Sequence, residues 1–280
     1  MRVQVGDVRL FFDVDGAALR PDGPKMREVP TILMLHGGPG FDHSVFKPDL
    51  SGFTDIAQVV YLDHRGNGRS DRDRPENWNL DRWGDDVHAF CERLEIEHPI
   101  VLGESFGGMV AMAYATRHPE HPSKLILAST AAQIRTDRSL EVFERLGGKE
   151  AREVARRFFD DPSPAVMAEY VQKCLPLYSQ RKRSTDWMAR SVPNMEVTSF
   201  FFQGEIRTFN LLPELKRIKC PTLITVGDMD PITPMQNSED IAAAIPAGLA
   251  RLECFKGAGH GVQRDKPVEF DRVVREFIGS

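Results

Sequence analysis

The chain has 280 residues, 41% hydrophobic and 28% charged, with a formal net charge of −5. That length suits one large α/β domain or two small ones with a sizeable core. The mild negative charge, with no Lys/Arg block and no long apolar run, argues against nucleic-acid binding and membrane spanning.

In chain order, residues 2–5 and 8–14 read as a hairpin around Gly6-Asp7. Nothing before residue 8 has the apolar core of a signal peptide. Pro21 to Pro30 reads as a polar loop. Thr31 to Leu35 is a continuous apolar run, expected as a strand buried on both faces, and it ends in His36-Gly37-Gly38-Pro39-Gly40. Gln58 to Leu62 is a second such strand, running into Asp63-His64-Arg65-Gly66-Asn67-Gly68-Arg69-Ser70. From Asn79, apolar residues at Leu80, Trp83, Val87, Phe90 and Leu94 recur at helical spacing. Pro99 to Leu102 is a third buried strand, and residues 109–115 read as a buried helix. Leu125 to Ala128 is a further strand.

From Ala131 to about Leu215 strand signals vanish. Helical segments are expected at 138–147, 149–160, 164–175 and 184–191, forming an inserted cap. The strand–helix alternation then resumes at Thr222 to Val226, with a helix near 235–245, a strand at 250–255 and a last helix. That helix carries Phe270, Val273, Val274, Phe277 and Ile278 on one face. Alternating βαβ units imply a parallel sheet with its site at the carboxyl ends of the strands. The expected core is 1–130 with 216–280, and the expected cap is 131–215. Cys91, Cys174, Cys220 and Cys254 are far apart with no metal-ligand spacing. They read as free thiols of a cytoplasmic protein, with no metal site.

The chemistry centres on Gly103-Glu104-Ser105-Phe106-Gly107, between a buried strand and a buried helix. A strand, a sharp G-x-S-x-G turn and a helix make a nucleophile elbow. A serine hydroxyl needs a base. His260, in the small-residue loop Gly257 to Gly261 after the last strand, is the candidate. Its carboxylate partner is expected to be Asp230, followed by Pro231, with Asp228 as the competitor. The chain order Ser105, Asp230, His260 is that of an α/β-hydrolase triad. An oxyanion hole needs two backbone N–H donors, here Phe106 and Gly38; Pro39 has none. His36 and His64 are expected to hold loops near the site.

These residues carry a resemblance. The chain resembles an α/β-hydrolase along nearly its whole length, and more narrowly the proline iminopeptidase (prolyl aminopeptidase) family. The HGGPG loop is matched by residues 36–40, and the D-x-R-G-x-G-R-S turn by residues 63–70. The elbow departs from the family pattern at Glu104, where a small residue is usual and where carboxylesterases carry glutamate. That carboxylate is expected to be held behind the elbow by hydrogen bonds or an arginine.

The resemblance implies an eight-stranded, mostly parallel sheet flanked by helices, with the cap inserted after the sixth strand. It implies an acyl-enzyme mechanism on a small-molecule amide or ester, without metal or organic cofactor. In the resembled family, cap glutamates bind the substrate's free α-amino group; the segment Gly204 to Leu211 is similarly placed to one such glutamate segment, so Glu205 is a candidate, and Glu169 and Glu196 are further carboxylates of the cap. The substrate alternatives are a carboxylesterase or lactonase and a carbon–carbon bond hydrolase. Dehalogenase and epoxide hydrolase relatives carry Asp where this chain has Ser105. A ligand receptor on the same scaffold is the rival of another class.

Overall fold

Alternate residues of the apolar strands enter two different cores, and this fixes the layers of the molecule. Leu33, Leu35, Val60, Leu62, Val101, Leu125 and Leu127 pack on one face of the sheet. Ile32, Met34, Val59, Tyr61, Ile100, Leu102 and Ile126 pack on the other. Side chains of a strand alternate faces, so a run apolar at every position needs cover on both sides. A computed structural model describes residues 1–161, 163–181 and 186–280 of the chain.

The strands are β1 (Arg2–Val5), β2 (Val8–Asp15), β3 (Leu19–Asp22), β4 (Lys25–Glu28), β5 (Thr31–Leu35), β6 (Gln58–Leu62), β7 (Ile100–Glu104), β8 (Lys124–Ala128), β9 (Thr222–Gly227) and β10 (Ala250–Phe255). Eight of them form one sheet in the order β1-β2-β6-β5-β7-β8-β9-β10. The pairs β1·β2 and β2·β6 are antiparallel, and every other pair is parallel. The remaining two, β3 and β4, form a separate ribbon where a polar loop was expected. Its residues are largely exposed, so no apolar alternation marks it.

The helices are α1 (Leu80–Arg93), α2 (Phe106–Arg117), α3 (Thr136–Asp160), α4 (Pro164–Lys173), α5 (Asp186–Arg190), α6 (Met195–Gln203), α7 (Met235–Ala244), α8 (Val262–Asp265) and α9 (Pro267–Gly279). Helices α1, α2 and α7 bury apolar residues on one sheet face. Helix α9 buries Phe270, Val273, Val274 and Phe277 on the other. Asn79 caps α1, its side chain accepting from Arg82 N–H at 2.9 Å.

Between β8 and β9 the described chain is helical. The expected segments 138–147 and 149–160 merge into α3, kinked at Gly148, whose φ is 74°. Of the segment expected at 184–191, residues 184 and 185 lie outside the described residues. Helix α6 was not expected, and its Phe200-Phe201-Phe202 run divides three ways. Phe201 is buried against Trp83 and Phe106, Phe202 packs beside α3's Phe158, and Phe200 stays exposed against Trp78. A third apolar cluster forms among these helices around Phe143, Val154, Phe158 and Tyr170.

Candidate active site

Strand β7 delivers the chain into Ser105 at φ 55° and ψ −118°, and α2 begins at the next residue. An L-residue rarely adopts this conformation, and here it is held from both sides. Ser105 N–H donates to Ala128 O at 2.9 Å, and Thr130 Oγ1 donates to Ser105 O at 2.7 Å. The turn also needs close backbone contact: a Cβ on Gly107 would lie 1.9 Å from Leu35 O.

His260 reaches Ser105 from the loop after β10. Its Nε2 lies 3.1 Å from Ser105 Oγ, and its Nδ1 lies 2.9 Å from Asp230 Oδ2. The ring is buried, its edge meets the Tyr178 ring, and its backbone N–H donates to Tyr178 O at 2.6 Å. Asp230 is fully enclosed. Its Oδ1 accepts from Ile232 N–H and Thr233 N–H, and its Oδ2 accepts from Thr233 Oγ1 at 2.8 Å. Burial works to raise this carboxyl; the His260 ring and these donors outweigh it and hold the group below the usual carboxylate range. The competitor Asp228 is exposed and accepts from Gly257 N–H at 2.7 Å. An imidazole with a carboxylate on Nδ1 and a hydroxyl on Nε2 is arranged to take that hydroxyl's proton.

The loop 36–40 lies against the serine. A Cβ on Gly37 would sit 3.4 Å from Ser105 Cβ. Phe106 opens α2, where helix N–H groups lack partners within the helix. One neutral tautomer of His36 serves two bonds: Nδ1–H donates to Gly37 O at 2.8 Å, and Nε2 accepts His64 N–H at 3.3 Å. Burial pushes both His36 and His64 below the ordinary histidine range.

The second motif frames the first. Asp63 accepts from His43 N–H, His43 Nδ1 and Arg69 N–H. Arg65 is wholly buried and pairs with Asp86, Asp73 and Asp7. Asn67 Oδ1 accepts Gly40 N–H at 2.6 Å. The segment carrying α6 docks on this frame: Asn194 N–H donates to Gly40 O, Thr198 Oγ1 to Pro39 O and Val192 N–H to Asp42 Oδ2.

Glu104 is buried and pairs with Arg264 of α8. An arginine behind the elbow was expected, though not which one; the histidine loop's tie to Tyr178 and the Thr233 brace on Asp230 were missed in the sequence. Only Thr233 left a local signal: a Thr three residues after an Asp is placed to close a turn on it. Glu205 Oε2 accepts Leu80 N–H at 2.9 Å, at the first residue of α1. Among the described residues Glu205 joins no ion pair, and burial pushes its carboxyl up. Glu169 pairs with Arg157 at 2.7 Å, and Glu196 is exposed in the first turn of α6. The four cysteines are free thiols. No described helix is long and apolar enough to cross a membrane.

Comparison with known proteins agrees with this architecture. Residues 30–267 match the family model described as the alpha/beta hydrolase fold. The chain is 30% identical to the proline iminopeptidase PfmaB of Pestalotiopsis fici over 284 residues, covering 95% of this chain and 97% of that protein. It is 27% identical to a putative carbamate hydrolase, RutD, of Pseudomonas syringae, over 90% of this chain and 95% of that one. The crystal structure of the proline iminopeptidase of Mycobacterium smegmatis superimposes with a TM-score of 0.82 at 24% identity, covering 100% of this chain and 97% of the other. By its sheet order, its elbow and this match, the chain belongs to the α/β-hydrolase fold family, and within it resembles the proline iminopeptidases.

Proposed function

We propose that this protein is a serine hydrolase acting through an acyl-enzyme on a small amide or ester, with a proline-iminopeptidase-like preference for a free N-terminal amine. The observation that carries the reading is the relay from Ser105 Oγ to His260 Nε2 at 3.1 Å and from His260 Nδ1 to Asp230 at 2.9 Å. Ser105 Oγ attacks the substrate carbonyl carbon while His260 Nε2 takes its proton. The backbone N–H groups of Gly38 and Phe106 hold the oxyanion. His260 then protonates the leaving amine or alcohol, and the acyl group stays on Ser105. Water adds to the acyl carbon with His260 again as base, releasing the acid and restoring Ser105.

Residues 131–215 act as a cap over residues 1–130 and 216–280, and the enzyme works in the cytoplasm, where its free thiols stay reduced. The amine preference is supported by the two glycine-rich motifs, by the relatives named proline iminopeptidase, and by Glu205. That carboxylate is partly buried without a cationic partner among the described residues, so a substrate ammonium would complete it. The second reading, carboxylesterase or lactonase, is favoured by Glu104 beside the nucleophile; a carbon–carbon bond hydrolase is the third.

The test is a side-by-side assay of proline and alanine p-nitroanilides, p-nitrophenyl esters and lactones. Cleavage of proline p-nitroanilide at a kcat/KM well above that of an N-blocked analogue supports the first reading. Efficient ester or lactone turnover with no action on free amines installs the second.

A further inference from the structure

Four of the eight histidines gather far from Ser105. His88 lies on α1, His98 in the turn after it, and His118 and His121 in the turn after α2. Helix α2 starts beside Ser105 and spans 12 residues. At 1.5 Å per residue its far end is roughly 18 Å away. The His88 and His118 rings stack at 4.0 Å, and the His121 ring meets the His88 ring at 4.7 Å and 70°.

Glu92 follows His88 by one helical turn, so both side chains share a face of α1. Its Oε1 is 3.9 Å from His88 Nε2 and 4.0 Å from His121 Nε2. One ligand atom from each of the three residues lies within 4.8 Å of the others. These separations are too long for hydrogen bonds. They are close to the spacing of about 3.4 Å between ligand atoms around a tetrahedral ion with bonds of ~2.1 Å. The exposed Glu92 side chain is free to close the difference.

The surroundings sort the four rings. His118 Nε2 is held by Asp85 Oδ1 at 2.8 Å. His98 Nδ1 lies 3.3 Å from the His121 carbonyl oxygen, and His98 is absent from the cluster. His121 Nδ1 pairs with the buried Tyr114 hydroxyl. The tautomer in which that Nδ1–H donates to Tyr114 Oη leaves Nε2 free as a ligand. Bracing the non-ligating nitrogen in this way is how metal-bound histidines are held.

We propose that His88, Glu92 and His121 form a binding site for a zinc(II)-class transition-metal ion, with water completing the coordination. Two imidazole nitrogens and one carboxylate suit zinc and its neighbours rather than calcium or magnesium, which take oxygen. The ion ties α1, through His88 and Glu92, to the turn that follows α2, through His121. It acts on the stability of this helix pair and not on the reacting atoms.

The test uses the full-length, tag-free chain, stripped with a chelator and then titrated with zinc chloride against a competing chromophoric chelator. One zinc per chain is expected, with a rise in thermal midpoint. Glu92→Gln, at an exposed position, is expected to weaken binding at least about tenfold, a loss that even outer partners of metal sites produce. The His88→Ala/His121→Ala double variant is expected to lose tight binding, while His98→Ala retains it. Ester hydrolysis is expected to be equal with chelator and with one equivalent of zinc. Zinc affinity in the wild type no higher than in Glu92→Gln or the double variant overturns the site. So does a wild type that binds no zinc.

Discussion

Glu104 and Arg264 form an ion pair beside Ser105, 160 residues apart in the chain. Burial alone would raise the Glu104 carboxyl; the Arg264 charge and hydrogen bonds outweigh it and hold the group below the usual carboxylate range. The glutamate that sets this elbow apart from the proline iminopeptidase pattern is therefore an anchor for α8 and the His260 loop.

The first expectation follows from that pair. Removing one partner of a buried pair destabilises by about 3–5 kcal/mol, because a charge is left uncompensated. Arg264→Met should lose stability on that scale at neutral pH. The sign with pH is set by the lowered carboxyl. Its contribution in the wild type is present above its unfolded value, about 4.3, and is lost as pH falls through the lower folded value. In Arg264→Met the unpaired carboxyl takes up a proton more readily, which relieves the buried charge. The gap between wild type and variant should narrow as pH falls from 7 toward 4. Urea unfolding across that range measures it, and a constant gap would rule out the ion-pair account.

The second concerns Ser105, the nucleophile of the proposed mechanism. Ser105→Ala should keep the fold and lose kcat by about 10⁶-fold, the loss seen when a triad nucleophile is removed. Its backbone conformation, φ 55° and ψ −118°, is one that glycine adopts without strain. Such strain is of order 1–3 kcal/mol, partly offset by glycine's larger unfolded-state entropy. Ser105→Gly should therefore be equally inactive yet more stable than Ser105→Ala, by about 1 kcal/mol. Equal melting of the two variants would contradict strain at the elbow.

The third separates the two acids after β9. Asp230→Asn should lower kcat by about 10⁴-fold, the scale on which a wrong histidine tautomer acts in trypsin. Asp228→Asn should leave kcat within about twofold, since this exposed side chain keeps an oxygen to accept Gly257 N–H. Steady-state rates on one ester at fixed pH decide between them.

Ser105 and Asp230 were legible because each sits in a short motif after a strand buried along its whole length, and His260 because it sits in a small-residue loop after the last, half-exposed strand. The sheet was legible for a related reason: strands buried on both faces write unbroken apolar runs such as Thr31 to Leu35. What stayed hidden had no local period. The β3–β4 ribbon is exposed on most of its residues, so no alternation betrays it. Helix α6 sends three consecutive phenylalanines to three surroundings, which blurs its helical stripe. Arg264 and the His88–Glu92–His121 group exist only through contacts between distant segments, and His121 stands 33 residues from His88.

The last expectation addresses substrate class through Glu205. Its Oε2 accepts Leu80 N–H, so part of the carboxylate is committed to the start of α1. Negative charge at a helix N-terminus is worth about 0.3–1 kcal/mol, so Glu205→Gln should lose no more than that in stability. The effect on catalysis should be larger and selective. A desolvated ammonium that loses its carboxylate is left uncompensated, whereas an uncharged ester has nothing to lose. Glu205→Gln should raise KM for proline p-nitroanilide at least about tenfold, a difference of about 1.4 kcal/mol. It should leave KM for a p-nitrophenyl ester unchanged. The readout is the ratio of the two kcat/KM values in wild type and variant, measured beside the melting temperature. An equal change on both substrates, together with a lowered midpoint, assigns Glu205 to the anchoring of α1 and removes its support for the proposed amine preference.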